Sequence, residues 1–449
     1  MWMKYWVIVI FFSFIICSGI YIANFFIVSS QSQQVEAEVN SKDEVTLTFW
    51  RNYGTKAENK AYKDLIATFQ KQYPNIKIEL VSIPFSDYEM RIRTEIAAGS
   101  TPDILSVDSP NLALYANSGV LLSLDKYMRA EGKIEDIPEA ILKGLTYEGE
   151  IYLAPIAESG LALFYNKKLF KEAGIPFPSE NPYDPLTWSQ VLEIAKRLTN
   201  PSKGIYGIDP AQGFSDGEGP AYFKTPLIWQ FGGDILNESG TTATGYLNSS
   251  SSIEALQFYQ DLYHKYKVAS IELPENPFET GHLGMTILGS WTLADYEKNW
   301  PDFKLEEDFG IAPLPKGKYQ VVPNGGWALG ISAKSKYPEE AWKFVKFASS
   351  YEGIKKYVEE TGDIPARYSV AEELKVLKTY PMNIFVQQSQ TFSKNRAITP
   401  AYPIVSDEIR KLFESIGISG ENVQKAADDA VNRINKGIQI RNDELVNPE

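Results

Sequence analysis

The alternation of strand-like and helix-like segments that begins at Val45 is the feature that most restricts the fold of this chain. Three apolar runs have the composition of strands, and stretches with helical spacing separate them; the runs are Val45–Trp50, Ile76–Ile83 and Asp103–Val107. Strands that alternate with helices need crossover connections, which place neighbouring strands parallel in one sheet. The sequence therefore predicts an α/β fold with a mostly parallel sheet.

Local signals predict where several helices begin and where the chain forms loops. Three residue pairs have the spacing of a capping box, in which two side chains satisfy the first backbone N–H groups of a helix. The pairs are Ser86 with Glu89, Thr187 with Gln190, and Ser251 with Glu254. The Gly- and Pro-rich stretch 204–226 is predicted to be a loop.

The stretch 147–168 is predicted to carry the chain from one packed body into another. Apolar, extended runs lie on both sides of Ala157, Glu158 and Ser159. We interpret these three residues as a hinge crossing between two lobes. A bend within one large sheet is the alternative, because short apolar runs are ambiguous.

Residues 1–44 are predicted to form a targeting or anchoring segment followed by a polar tether. Residues 6–28 carry no charged side chain and are long enough to cross a bilayer as a helix. A cleaved signal peptide is one alternative, and a lipoprotein signal with lipidation of Cys17 is another, although Ile16 stands where that pattern has a small residue. Each interpretation places the folded body in the periplasm or at the outer face of the cell membrane.

Charge and composition argue against several classes of function. The net charge of -13 disfavours nucleic acid as a partner, because phosphate backbones are bound by clustered Lys and Arg. With one cysteine and two histidines, we expect no metal site and no cofactor. No phosphate loop, nucleophile elbow or HExxH motif is present in the sequence. A glycoside hydrolase stays open as an alternative, since it needs only two carboxylates across a cleft.

Seven stretches together resemble the family 1 extracellular solute-binding proteins, the sugar-type receptors of bacterial ABC importers. They match in order and spacing from about Val45 to the C-terminus. The stretches are AAGSTPDIL (97–105), YEGEIYLAPIAESGLALFYNKKLFKEAGI (147–175), LTWSQVLEIAKRLT (186–199), GGDILN (232–237), GMTILGSW (284–291), FGIAPLPKG (309–317) and PEEAWKFVKF (338–347).

The resemblance implies a two-lobe periplasmic-binding-protein fold with a ligand cleft between the lobes and several hinge crossings. It assigns residues 45–157 and 310–334 to an N-terminal lobe, and residues 158–309 and 335–449 to a C-terminal lobe, with Gly310 as a further hinge residue. The implied function is that of a monomeric receptor, not an enzyme, that captures a sugar or oligosaccharide and delivers it to a membrane permease. A polyol, a glycerol phosphate derivative or a metal ion is an alternative ligand for the same fold.

Candidate ligand-binding residues follow from the rule that ligands of open α/β sheets bind beyond the carboxyl ends of the strands. Aromatic rings there can stack on a sugar, while polar groups bind its hydroxyls. The candidates are Trp50, Arg51, Asn52, Asp108, Ser109, Glu158, Trp291, Gly325, Gly326 and Trp327, with Tyr222 and Asp234 from the second lobe. Trp291 is the preferred stacking residue, since the resembling family has an aromatic contact at that place. Burial of the tryptophans in a lobe core, or a structural role for the carboxylates, is the alternative.

Overall fold

The computed structural model describes residues 44–211, 213 and 217–446. The predicted anchor or signal segment, including Cys17, lies outside the described residues. Within the described ranges, no helix combines the length and apolar character needed to cross a membrane.

The described chain is an α/β protein, as predicted. Its strands are β1 (Val45–Tyr53), β2 (Ile76–Pro84), β3 (Ile104–Asp108), β4 (Thr146–Tyr147), β5 (Glu150–Ile151), β6 (Ala154–Ser159), β7 (Leu161–Asn166), β8 (Met285–Gly289), β9 (Phe309–Pro313), β10 (Val322–Ile331), β11 (Ile364–Pro365) and β12 (Ser393–Asn395). Its α-helices are α1 (Lys56–Gln72), α2 (Phe85–Ala97), α3 (Leu112–Asn117), α4 (Asp125–Glu131), α5 (Glu139–Gly144), α6 (Lys167–Glu172), α7 (Trp188–Leu198), α8 (Gly219–Phe231), α9 (Ser250–His264), α10 (Thr292–Asn299), α11 (Pro338–Ala348), α12 (Tyr351–Thr361), α13 (Tyr368–Glu373), α14 (Met382–Phe392), α15 (Tyr402–Gly417) and α16 (Val423–Val446). Short 3-10 turns occupy Ser109–Asn111, Ile134–Asp136, Pro201–Lys203 and Lys375–Lys378.

Two separate sheets organise most of these elements, and β4 and β5 form an antiparallel pair of their own. The seven-stranded sheet, called the large sheet below, has the order β11-β6-β10-β3-β1-β2, with β12 paired to β10. Strand β1 pairs parallel with β2 and β3, as predicted, but β10 is antiparallel to both β3 and β6. The three-stranded small sheet has the order β8-β7-β9 and is antiparallel. Strand β12 also pairs parallel with β10, whereas β11 is antiparallel to β6, so the prediction of a mostly parallel sheet holds for only half of the pairings in the large sheet.

Two hydrophobic core clusters lie in the described chain. The first contains the apolar residues of the large sheet and of helices α1, α11 and α12, and it extends to the small sheet through Phe164, Phe309 and Ile311. The second contains the inward faces of α7, α8, α9, α15 and α16 with part of the small sheet. Helix α14 contacts strands of both sheets and so lies at the junction.

The first crossing between the lobes lies one residue beyond the predicted position. Strand β6 continues to Ser159, and β7 begins at Leu161 in the other sheet, so the chain crosses at Gly160. Ala157 and Glu158, which we expected in the crossing, are instead paired within the large sheet to β11. Backbone pairing on both edges of β6 holds them in that sheet.

The expected lobe boundaries after residue 309 differ from the observed sheet pairing. Gly310 pairs with Tyr165 inside the small sheet, so the second crossing falls between β9 and β10 and not at Gly310. Helices α11 and α12 pack in the first core, although the whole of 335–449 was expected in the second lobe. An amphipathic helix can cover either sheet, and its periodicity does not indicate which. A third crossing therefore lies between α14 and α15.

Some predicted helix boundaries are confirmed and others are wrong. Thr187 and Gln190 form the predicted capping box at the start of α7. Helix α9 begins before the predicted Ser251 and is capped by Ser249, whose side chain accepts the N–H of a residue three positions later. Helix α8 occupies part of the stretch predicted as a loop, and Pro226 lies inside it. Burial of nearly the whole of α8 between its neighbours outweighs the low helix propensity of proline.

The predicted capping box at Ser86 and Glu89 is not formed. Helix α2 follows Pro84 and has no side-chain cap. Glu89 instead accepts a hydrogen bond from the Tyr115 hydroxyl at 2.7 Å. Burial raises the pKa of Glu89 to about 7. The Glu89 side chain, which the local pattern predicted to cap the helix, therefore forms a tertiary contact with Tyr115 instead.

Candidate functional site

A cavity of about 490 Å³ lies where the two lobes meet. Its volume is within the range of small-molecule sites, roughly 300–1,000 Å³. Its wall includes residues of β1, β3, β6 and β10 from the large sheet, of α8, and of the turn after β8. The predicted residues that line it are Asn52, Asp108, Glu158, Tyr222, Trp291, Gly325, Gly326 and Trp327.

Sheet register brings the first-lobe residues of this cavity together. Asp108, the last residue of β3, pairs with Trp327 of β10. Gly326 pairs with Glu158 of β6, which on its other side pairs with Ile364 of β11. Residues far apart in sequence are therefore neighbours across adjacent strands. The prediction from strand ends works because β1, β3 and β6 all end at this edge.

Two predicted residues of β1 do not line the cavity. Arg51 is only 1% exposed, and its guanidinium lies 4.4 Å from the centre of the Tyr62 ring and 3.5 Å from the Glu58 carboxylate. Since Tyr62 and Glu58 themselves line the cavity, Arg51 supports the wall from behind. Trp50 is half-buried and packs against the first core.

Ser109 and Asp234 are also outside the cavity lining. Ser109 begins the 3-10 turn that follows β3. The Asp234 carboxylate accepts hydrogen bonds from Lys394 Nζ at 2.6 Å and from Trp229 Nε1 at 3.1 Å. These contacts connect the second lobe to the third crossing.

Each lobe contributes a partly exposed indole to the cavity. Trp327 of β10 has edge contacts with Tyr88 and Phe85, at centroid distances of 5.6 and 6.2 Å. Trp291, directly after β8, lies 6.1 Å from the rings of Tyr222 and Phe223. The neighbouring rings fix the indoles while leaving part of each facing the cavity. Such faces suit stacking on an apolar surface of a ligand.

Gly325 and Gly326 make room for two side chains of the site. A Cβ atom at Gly325 would lie 2.3 Å from the Tyr222 ring, and one at Gly326 would lie 2.3 Å from Glu158 Oε1. The Tyr222 hydroxyl donates to Ser159 Oγ at 2.9 Å, and Ser159 in turn donates to the Gly325 carbonyl. The glycine pair therefore allows a second-lobe ring and a first-lobe carboxylate to approach the backbone of β10.

Arg396 connects the lobes through two carboxylates. Its Nη1 and Nη2 donate to Asp108 Oδ2 and Oδ1 at 3.1 and 2.7 Å, a bidentate pair with the first lobe. Nη1 also donates to Glu218 Oε1 at 2.5 Å in the second lobe. Glu218 further accepts from the Tyr402 hydroxyl and from Ser406 Oγ, the latter at 2.6 Å. Burial raises the pKa of Glu218, while the charge of Arg396 opposes that rise.

Glu158 is a buried carboxylate that forms no ion pair with another residue in the described part of the chain. Its side chain is 6% exposed, and Oε2 has no hydrogen-bond partner among the described residues. Burial raises the pKa of Glu158 to about 8, the charge of Asp108 adds to the rise, and Arg396 opposes it. The Glu158 carboxyl group therefore keeps its proton to a higher pH than an exposed glutamate does.

Asp363 is a second buried carboxylate, and unlike Glu158 it has hydrogen-bonding side chains beside it, those of Thr361 and Tyr357. It directly precedes β11, the strand that pairs with β6, and it lines the cavity. Burial, with a smaller contribution from Glu58, raises the pKa of Asp363 to about 8.

The sequence analysis missed several residues that line the cavity. They are Glu58, Tyr62, Phe85, Glu218, Phe223, Tyr357, Asp363 and Arg396. The capping box that Glu58 forms with Thr55 was a local signal that could have placed it at this edge of the sheet. Asp363 and Arg396 follow no strand of the predicted sheet, and no local signal marks them.

The described residues contain no group of three or more His, Cys, Asp or Glu side chains placed to hold a metal ion. The arrangement offers aromatic faces, carboxylates and one guanidinium, which together can bind a polar organic molecule.

Curated relatives of the chain are binding proteins. The chain is 26% identical to a maltotriose-binding protein of Pyrococcus abyssi, over 75% of this chain and 69% of that protein. It is 22% identical to a galactooligosaccharide-binding protein of Bacillus subtilis, over 86% of this chain and 87% of that protein.

Solved structures show the same fold. A solute-binding protein of Thermotoga lettingae bound with α-D-tagatose is 26% identical, with a TM-score of 0.75 over 88% of this chain and all of that chain. The GacH receptor of Streptomyces glaucescens, solved unliganded and with acarbose, is 25% identical, with a TM-score of 0.74 over 88% of this chain and 99% of that chain. The family model for bacterial extracellular solute-binding proteins matches residues 53–355. The chain therefore belongs to the bacterial extracellular solute-binding protein family.

Proposed function

We propose that this protein is the substrate-binding receptor of an ABC importer and that it captures a sugar or oligosaccharide between its lobes. The observation that carries the proposal is the convergence of Trp327 from one lobe and Trp291 from the other on one polar cavity. Indole faces bind the apolar surface of a sugar ring, and carboxylates accept hydrogen bonds from its hydroxyls.

The named relatives support this choice of ligand class. A maltotriose-binding protein, a galactooligosaccharide-binding protein and a tagatose-bound structure are among the proteins to which the chain is similar. The proposal further includes binding without turnover and delivery of the ligand to a membrane permease. A location outside the cytoplasmic membrane agrees with the extracellular family. Residues 1–44 would tether the protein there.

The twelve predicted ligand-binding residues separate into two groups under this proposal. Those that line the cavity would contact the sugar, with the indoles stacking and Asn52, Asp108 and Glu158 binding hydroxyls. Arg51 would act indirectly, by holding Glu58 and Tyr62 in the wall.

Titration calorimetry of residues 44–449 against mono-, di- and trisaccharides tests the proposal. We expect at least one saccharide to bind, and we expect Trp291→Ala or Trp327→Ala to weaken that binding by at least about tenfold, or 1.4 kcal/mol. Both variants should keep the wild-type melting temperature to within a few degrees, since both indoles are partly exposed.

Tyr183→Ala is the matched control, because Tyr183 is an aromatic residue that is 56% exposed and lies outside the cavity. It should leave the affinity unchanged. If both tryptophan variants bind the saccharide as tightly as the unmodified protein, the indoles do not belong to the site. If no saccharide binds, the proposed function is refuted. Chromatography of the incubated saccharide should recover it intact; released fragments would show a hydrolase.

A further inference from the structure

The side chain of Glu158 lies in the cavity wall with part of its hydrogen-bonding capacity unused. It lines the cavity between the lobes and is 6% exposed. Its Oε1 lies close to the backbone of β10, since a Cβ atom at Gly326 would be 2.3 Å from it. Its Oε2 forms no hydrogen bond with any described residue. One oxygen of a buried carboxyl group is therefore left for a contact that the described residues do not supply.

The cationic side chains near the cavity are paired with other carboxylates. Arg396 donates from both Nη atoms to Asp108, and Nη1 also donates to Glu218. Arg51, behind the wall, faces Glu58 at 3.5 Å. Neither guanidinium forms an ion pair with the buried glutamate.

An ionised Glu158 would therefore be a buried negative charge near a second carboxylate, that of Asp108. Burial without a cation and the nearness of a like charge both favour the protonated form of a carboxyl group. Burial raises the pKa of Glu158 to about 8, Asp108 adds to the rise, and Arg396 opposes it. A protonated carboxyl group has an O–H group to donate. Rotation about the last bond of the side chain exchanges its two oxygens, so either can carry this group towards a bound molecule.

We propose that Glu158 binds the saccharide as a neutral carboxylic acid, whose O–H group donates a hydrogen bond to a ring, glycosidic or hydroxyl oxygen of the sugar. This inference rests on the proposed function, since it specifies how one residue of the same cavity recognises the ligand. The carboxylates that are paired with arginine offer acceptors to the sugar hydroxyls. Glu158 adds a donor beside them.

Proton linkage gives this role a sign that can be measured. If the acid form binds, the saccharide raises the pKa of Glu158 further. The affinity is then constant below about pH 7 and falls as the pH rises through about 8, by up to about tenfold per pH unit. Binding at pH 8 takes up to about half a proton per saccharide from solution, whereas binding to the ionised carboxylate would release protons.

Other groups around Glu158 also titrate or carry charge. Those that face it from the neighbouring elements are Asp108 of β3, Arg396 after β12, Tyr222 of α8, Tyr357 of α12 and Asp363 before β11. Burial raises the pKa of both tyrosines well above their ordinary value, so they stay neutral between pH 6.5 and 9. Among these groups, Asp363 has a pKa of about 8, and its titration overlaps that of Glu158.

Titration calorimetry in two buffers of different ionisation enthalpy measures the number of protons taken up. The probe is maltotriose or, if another mono-, di- or trisaccharide binds more tightly, that saccharide. In the unmodified protein we expect no uptake at pH 6.5 and an uptake approaching about half a proton at pH 8. Glu158→Gln should abolish the uptake, and Asp363→Asn should keep it. Glu193→Gln should also keep it, because Glu193 is an exposed carboxylate on α7, outside the cavity.

Two substitutions of Glu158 distinguish a donor from an acceptor. Glu158→Gln keeps an N–H donor on a side chain of the same shape, so its affinity at pH 6.5 should stay within about threefold of that of the unmodified protein. Glu158→Met has a side chain of similar length without a donor and should bind about tenfold more weakly. Thermal melting of both variants checks that they fold.

The outcomes of these measurements are distinguishable. Release of protons at pH 8, or no exchange of protons, would overturn the inference and leave the proposed function standing. An equal loss of affinity in Glu158→Gln and Glu158→Met would do the same, since the carboxylate would then be an acceptor. An uptake that persists in Glu158→Gln and disappears in Asp363→Asn would assign the titration to Asp363 and overturn the inference. If no saccharide binds, the proposed function fails, and the inference fails with it.

Discussion

At the scale of single residues, Glu158 links the site to the pH dependence of the protein. Its folded-state pKa of about 8 is above its ordinary value, because burial disfavours the charged form. At pH values between the ordinary pKa of a glutamate and the raised pKa of Glu158, this carboxyl group has lost its proton in the unfolded chain but keeps it in the folded protein. The resulting stabilisation is complete below the ordinary pKa of a glutamate and is lost as the pH rises towards 8.

We therefore expect the ligand-free protein to melt at a lower temperature at pH 8.5 than at pH 5.5. Glu158→Gln should raise the stability at pH 8.5 by roughly 1–3 kcal/mol, since the amide has no proton to lose. Calorimetry at constant ionic strength measures both effects, and Glu193→Gln again provides the control. An unchanged pH dependence in Glu158→Gln would contradict the assignment of a raised pKa to this residue.

At the scale of elements, β10 and the segment after β12 join the two lobes. Val322 of β10 belongs to the second core, while Leu329 and Ile331 belong to the first. Strand β12 pairs with the beginning of β10 and leads directly to Arg396. The glycine pair of β10 and the guanidinium of Arg396 therefore occupy the same junction. Substitutions of these residues are expected to change both the contact between the lobes and the binding of a ligand.

Arg396→Met is expected to destabilise the protein by about 3–5 kcal/mol, because it leaves Asp108 and Glu218 buried without their cationic partner. Addition of Asp108→Asn should recover part of this loss, since one of the two uncompensated charges is then removed. Urea unfolding of the single and double variants measures the difference.

Arg410→Met is the comparison for that experiment, because Arg410 also bridges two carboxylates, Asp407 and Glu414, but within one helix and with more exposure. Pairs of this kind contribute about 1 kcal/mol or less. If both arginine variants lost the same small amount of stability, the bridge between the lobes would have no special role.

At the scale of the whole molecule, the proposed function implies that the two lobes change their relative orientation around the cavity. A ligand that contacts both lobes binds one orientation better and shifts the population towards it. Under the proposed function we expect small-angle scattering of residues 44–449 to show a smaller radius of gyration with a binding saccharide than without it. Trp291→Ala at the same ligand concentration should show less compaction. Identical scattering with and without ligand at saturation would contradict domain closure.

Much of the architecture could be predicted from local sequence, because local rules decide local structure. The apolar runs of β1, β2 and β3 and the capping box at Thr187 depend on neighbours within a few residues. The strand-end rule then located Asn52, Asp108 and Glu158 at the cavity.

Tertiary contacts decided the rest. Periodicity shows that a helix has an apolar face but not which sheet that face covers, so the placement of α11 and α12 in the first lobe was not predicted. Burial kept α8 helical across Pro226, although the local composition indicated a loop. Asp363 and Arg396 reach the site only because β11 pairs with β6 and β12 pairs with β10, pairings between segments far apart in sequence. The sequence by itself determined β1, β2 and β3 and the edge of the sheet at which the cavity lies. The charge of the cavity was decided by the long-range pairings that bring these two residues to it.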